Sequence, residues 1–153
     1  MIDRRWTTSI AYVNSLLYVA EQLGVPQQEL LQAADISSAP LDNPEARLPM
    51  TDLMNLFRCA VRLSGTEDFA LHFAYHYRPW AMGLLGYLCM SCSTIKELFD
   101  TWIPYRYTLM HAGNTHVEFC GEHIRFIWEP LGDALIKDRY LIDAIFAIWV
   151  GAT

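Results

Sequence analysis

The sequence has little charge, and very little of it is lysine. Charged residues make up 18% of the 153, and the only lysines are Lys96 and Lys137 among nine scattered arginines. Acidic residues outnumber basic ones, 17 to 11, for a formal net charge of −6. Affinity for a phosphate backbone comes from clustered Lys and Arg, so these residues are not expected to hold nucleic acid themselves. A long apolar run is also missing. The greasiest stretches, 80–95 and 140–151, fall short of the roughly 20 residues a spanning helix needs, and the second carries Asp143. The first ten residues, MIDRRWTTSI, contain no apolar stretch followed by a small-residue cleavage site. No signal peptide and no membrane partner are expected, and a cytoplasmic location is.

Signatures of chemistry are missing too. There is no GxxxxGK[ST] loop, no GxGxxG turn and no GxSxG elbow. His72 and His76 have the spacing of a zinc-protease helix, but Phe73 stands where that motif needs Glu. Glu67 and Asp68 fall at a helix start, where the helix dipole explains them. No catalytic residue, cofactor or metal is expected, and the chain is not expected to be an enzyme. Cys59, Cys89, Cys92 and Cys120 are the only cysteines, and nothing indicates secretion, so reduced thiols are expected. Cys89 and Cys92 form a CxxC near the end of an apolar helix, where a redox pair normally opens one. Two readings stay open: thiols that merely pack, or a thiol or metal sensor using Cys89, Cys92, Cys120 and His123.

What is present is apolar. At 53% hydrophobic and 13% aromatic, the chain suffices for one compact domain, with apolar surface to spare for a partner, a ligand or further chain. The fold class expected is α+β, mostly helical with a small antiparallel β-hairpin. Ile10, Val13, Leu16, Leu17, Ala20 and Leu23 follow one helix face over residues 8–23, which Gly24 ends. A short helix over 27–34 follows Pro26, and turn formers fill 35–49, read as an irregular loop. Thr51 is the expected cap of a helix that Ser64 and Gly65 close. Residues 68–77 form another, and Gly83 and Gly86 suggest close packing in the segment after Pro79.

Thr94 and Glu97 make a capping box for a helix carrying Ile95, Leu98, Phe99 and Trp102, which Pro104 should kink or end. A loop is expected at 111–114. Residues 115–120 and 123–128 then alternate around Gly121 and Glu122, a two-residue type II′ hairpin signal. Pairing Cys120 with His123 puts Phe119 opposite Ile124, Val117 opposite Phe126 and Thr115 opposite Trp128 on one apolar face. The same register sets Glu118 against Arg125 on the other face. From about residue 136 the last helix is apolar on nearly all sides, so burial, further chain or a second subunit is expected to cover it.

Trp80, Tyr87, Trp102, Tyr105, Arg106, Tyr107 and Trp128 gather around the glycine segment, the capped helix and the hairpin. Small-molecule pockets are mostly apolar and aromatic with a few polar groups, and Arg106 or Arg125 could hold a carboxylate. The plainer alternative is that these are core aromatics.

The order of segments resembles a known family. The features are a helix ending in Gly24, a Leu30-Leu31 pair, Leu41-Asp42-Asn43-Pro44-Glu45-Ala46-Arg47-Leu48-Pro49, a helix ending in Leu63-Ser64-Gly65, Gly83-Leu84-Leu85-Gly86-Tyr87, Thr94 with Glu97 and Leu98, and a hairpin. Together they are similar to the arabinose-binding-type N-terminal domain of AraC-family transcription regulators. The resemblance covers about residues 9–150. It implies an effector-binding and oligomerisation domain over 1–153, longer in full than the chain shown, ahead of a C-terminal pair of helix-turn-helix motifs absent here. Pro104, Cys89 and Cys92 depart from the family pattern. The resulting expectation is a sensory domain that binds a small organic effector through Trp80, Tyr87, Trp102, Tyr105, Arg106 and Trp128. It forms a homodimer and meets DNA only through the missing domain. The loop at 35–49 and the expected kink at Pro104 are its candidate moving parts, and a ligand-free dimerisation module is the alternative.

Overall fold

Thr7–Ser9 form strand β1, and Ser9 then caps helix α1 (Ile10–Gln22), its hydroxyl accepting the Tyr12 N–H. The structure is a computed structural model that describes residues 5–152, apart from the side chains of Trp80, Ala134, Ile136 and Ala152. Helix α2 (Gln27–Ala33) follows Pro26 and buries Leu30 and Leu31. Strand β2 (Arg47–Pro49) pairs antiparallel with β1, Thr8 opposite Leu48, and both of those side chains are buried. The expected irregular loop over 35–49 therefore ends in a strand. Three residues are too few for period-two alternation to show in a sequence.

Helix α3 (Met50–Ser64) starts one residue before the expected Thr51 cap. Pro49 occupies the cap position without a side-chain bond, and the Met50 N–H is taken instead by the Trp6 carbonyl at 2.9 Å. Helix α4 (Phe69–His76) completes the core with α1 and α3. Tyr12, Phe57, Phe69 and Phe73 are fully buried there. Phe73 meets Tyr12 and Phe57 edge to face at 5.1 and 5.4 Å, an arrangement that adds to simple area burial.

A 3-10 turn (Pro79–Met82) leads to α5 (Leu84–Met90). A Cβ on Gly86 would sit 1.7 Å from the Pro79 carbonyl oxygen, so the glycine is what lets α5 lie on that turn. Helix α6 (Ile95–Leu109) opens as expected, with the Thr94 hydroxyl accepting the Glu97 N–H. The Glu97 carboxylate reaches back to the Ser93 N–H, one residue before the box position. Pro104 does not end this helix, which runs five residues past it. The carbonyl it deprives of a partner is that of Asp100, and both residues are exposed, so that oxygen is open to solvent.

The hairpin pairs β3 (Gly113–Cys120) with β4 (His123–Pro130) in the expected register throughout, from Cys120 opposite His123 to Gly113 opposite Pro130. It extends two residues beyond the expected strands at its base, so the loop at 111–114 is shorter than expected. Gly121 has φ of 62° and Glu122 is not left-handed, which is the II′ pattern. Arg125 donates to Glu118 across the strands at 2.8 Å. The apolar face is buried only at its base. Thr115 is buried, whereas Phe119 and Ile124 near the tip are 47% and 43% exposed.

A short α7 (Asp133–Ile136) precedes the last helix, α8 (Arg139–Ala152). Buried Asp138 fixes its start: one oxygen accepts the Leu141 N–H at 3.0 Å, the other the Arg58 guanidinium at 2.7 Å. Leu141 and Ala144 turn inward as α8 packs across α4 and α3. Within the described residues the helix is not covered on all sides: Phe146 touches Phe126 of β4 on one side yet stays partly exposed, and Val150 is exposed, which leaves further chain or a second subunit as the expected cover. The architecture is α+β and mostly helical, with two small antiparallel two-stranded sheets. No helix of the described residues is long and apolar enough to cross a membrane.

Candidate functional site

Between α1, α6, the base of the hairpin and α8 lies a cavity of about 50 Å³. That is space for about three or four water molecules. Each wall has a local reason. The α6 stripe brings Trp102, Arg106 and Leu109 to one side, at the helical spacing of three and four. The period-two alternation of the hairpin brings Gly113, Thr115 and Trp128 to another. A Cβ at 113 would meet the Trp128 indole nitrogen at 2.3 Å, so only glycine lets that ring lie over the strand. Tyr12 from α1, Tyr77 just past α4, and Ile148 and Trp149 from α8 close the space. Trp102 and Trp149 meet edge to face at 4.6 Å.

The polar groups of this cavity are unusual. Five buried side-chain atoms among the described residues have no hydrogen-bond partner within the chain: the hydroxyls of Tyr12, Tyr77 and Thr115, the Trp102 indole nitrogen and Arg106 Nε. All five residues line this one cavity. Burial pushes both phenols well above their usual range, and for Tyr77 the neighbouring Tyr12 adds to it, so both are neutral. Buried polar groups left without partners cost on the order of 1–3 kcal/mol each, which fits a place that receives a guest.

Among the described residues, Arg106 is the only charged group on the wall. It donates to the Ile103 carbonyl, and at 3.2 and 3.0 Å to the Tyr107 hydroxyl and Asn114 Oδ1. Its guanidinium lies 4.3 Å from the Tyr107 ring centre. A second cleft of about 470 Å³ adjoins the cavity and shares Tyr77, Met82, Ile148 and Trp149 with it.

Of the residues expected at an effector site, the structure brings together Trp102, Arg106 and Trp128. Tyr87 and Tyr105 point away, 60% and 56% exposed. Each belongs to a helix whose opposite face packs inward, and aromatic content alone does not say which face that is. The Trp80 side chain lies outside the described residues. Arg125 is on the hairpin's outer face, paired with Glu118. Tyr12, Tyr77 and Thr115 were not anticipated. The available signal was a tyrosine within a core-facing helix stripe, whose hydroxyl always needs a partner.

The metal-sensor reading finds no cluster among the described residues. Cys89 is buried and its thiol is pushed up to about 11 by that burial and by Cys92, whereas Cys120 is exposed at the hairpin tip. Among the described residues no three His, Cys, Asp or Glu side chains group to hold a metal ion. His72 lies 3.8 Å from Asp68, and His116 lies 3.3 Å from Glu129.

The motif around Arg47 also has a physical basis. Asn43 makes a turn, its side chain accepting the Glu45 N–H. Arg47 spreads over the end of α6, donating to the carbonyls of Tyr107, Thr108 and Leu109, and to Thr7 of β1 through both its hydroxyl and its carbonyl. Those α6 carbonyls have no helical partner, and a cation there suits the helix dipole.

Comparison with known proteins agrees with this architecture. Residues 24–153 match the family described as the arabinose-binding domain of AraC transcription regulators, N-terminal. An ornithine utilization regulator from Pseudomonas aeruginosa is 29% identical over 96 residues, covering 63% of this chain and 28% of that protein. An uncharacterised helix-turn-helix-type transcriptional regulator from Mycobacterium tuberculosis is 30% identical over 105 residues, 67% of this chain and 30% of its own. The matched part spans less than a third of the length of either relative. The chain belongs to the AraC family of transcription regulators, as the arabinose-binding type of N-terminal domain.

Proposed function

We propose that residues 1–153 are the sensory domain of a transcription regulator, and that a small organic effector binds in the cavity between α1, α6, α8 and the hairpin. One observation carries this reading: every buried polar side-chain atom without a partner, among the described residues, lines the same apolar-walled space. Family membership makes effector binding the natural use of that space. The relatives are about three times as long as the matched segment and one is named as helix-turn-helix-type, so DNA contact belongs to a further domain and the setting is cytoplasmic.

At about 50 Å³ the cavity is far below the 300–1,000 Å³ of typical ligand pockets. Binding therefore requires it to open. The 3-10 turn at Met82 and the end of α8 at Trp149 wall both spaces and join the 35–49 loop and Pro104 as candidate moving parts. A ligand that favours the opened state shifts the balance between two states, and a domain joined to α8 reads that shift. One relative's name ties it to ornithine. The cavity wall holds no carboxylate to receive an ornithine ammonium, so ornithine is not carried over.

The test is calorimetry and thermal-shift screening of the full-length protein against a metabolite library. At least one compound is expected to raise Tm in a concentration-dependent way while changing tryptophan fluorescence. No stabilising compound would count against the reading. A second reading, a ligand-free dimerisation module, is favoured by Leu84, Leu88 and Tyr105, exposed along one shallow groove. It predicts a Tm that depends on protein concentration and on no metabolite.

A further inference from the structure

We infer that the molecule this cavity takes is an organic carboxylate, its anionic head held by Arg106 and its apolar body lying against Trp102, Trp128 and Trp149. This rests on the effector reading above and narrows it to a chemical class.

Charge is the first argument. Arg106 carries a full positive charge, and every oxygen it bonds to is neutral: a carbonyl, a phenol and an amide. No acidic residue lines the cavity. Its Nε–H is buried there without a partner. A guanidinium desolvated beside apolar walls is costly by itself and is repaid most fully by an anion.

The remaining polar groups agree. The Trp102 indole can only donate, and the hydroxyls of Tyr12, Tyr77 and Thr115 each have a hydrogen to give. Hydrogen-bond donors therefore border the space, and among the described residues no carboxylate or side-chain amide residue lines it. A sugar would find only hydroxyl oxygens among the side-chain acceptors for its many hydroxyl hydrogens. An amine would meet Arg106 as a like charge. A carboxylate, which only accepts, matches a site that mainly donates.

Size sets the shape. About 50 Å³ holds a carboxylate and a few carbons, and the body continues past Met82 and Trp149 into the adjoining cleft of about 470 Å³. Pro79, Cys89, Met90 and Leu98 line that cleft together with Tyr75 and Arg78, so the body is mainly apolar, and Arg78 donates to the Tyr75 carbonyl there.

The experiment titrates the full-length protein with octanoate and with 4-phenylbutyrate, each beside its uncharged amide, following tryptophan fluorescence and Tm. The acids are expected to bind at least about ten-fold more tightly than the amides, the scale of one charge-assisted hydrogen bond. Arg106→Gln should weaken the acids by a similar factor and the amides much less, and Arg106→Lys should restore part of the loss. Amides that bind as tightly as acids, or no binding by either acid, would overturn the inference. So would an Arg106→Gln protein that binds the acids unchanged. The acid–amide comparison on the unaltered protein keeps the test valid even if the variants fail to fold. Neutral compounds that bind while both acids do not would remove the carboxylate and keep the effector reading. A library in which no small molecule of any class binds would remove both.

Discussion

Phe73 and Trp102 are both aromatic residues on inward-facing helix stripes, yet the two regions around them differ. Around Phe73 the rings of Tyr12, Phe57 and Tyr77 close at 5.1 to 5.4 Å, and the side chain is fully buried. Around Trp102 the rings also meet, at 4.6 Å to Trp149, but they border a space, and the indole nitrogen has no partner. Tyr12 and Tyr77 belong to both regions, rings in the packed one and hydroxyls at the open one. The core between α1, α3 and α4 is built for stability. The layer of α6, hairpin and α8 leaves part of that stability unrealised where a ligand can supply it.

The largest test of this contrast is Phe73→Ala, which removes a ring from the packed region. A loss of about 3–5 kcal/mol is expected by urea unfolding, and it would be much smaller if that region were as open as the other. Asp138→Ala comes next. It removes the start of α8 and its tie to α3, for about 2 kcal/mol in the same measurement. The opposite behaviour is expected on the cavity side. Tyr77→Phe and Thr115→Val delete hydroxyls that have no partner, so stability should hold or rise by up to about 1 kcal/mol, while affinity for a bound effector falls. A marked loss of stability in either would mean that the hydroxyl is already satisfied. The smallest effect concerns reactivity. With its thiol pushed up to about 11, Cys89 is almost wholly protonated at pH 8 and gains thiolate only as pH approaches that value. Iodoacetamide at pH 8 should therefore label exposed Cys120 well before Cys89, as read by peptide mass spectrometry.

Legibility in the sequence followed the range of the forces involved. The hairpin register was readable to the residue, because a turn and a period of two fix it locally and a slip would separate Glu118 from Arg125. The first helix, read over 8–23 and found as Ile10–Gln22, and the Thr94 start were readable for the same reason. The three-residue strands were not, since their pairing spans some forty residues and leaves no periodic trace. Nor was the course of α6 through Pro104, because the cost of a helical proline depends on whether its orphan carbonyl meets water. Half of the site was visible. Trp102, Arg106 and Trp128 were, because a stripe and an alternating strand bring them inward. Tyr12 and Tyr77 were hidden inside a core pattern that explained their rings and said nothing of their hydroxyls.

Arg47 has one more consequence. Its hydrogen bonds join residues 40 to 62 positions away, on β1 and at the end of α6. One side chain therefore holds both the N-terminal strand and the end of the helix that carries Arg106, alongside the His111 N–H that donates to the Thr7 carbonyl at 2.8 Å.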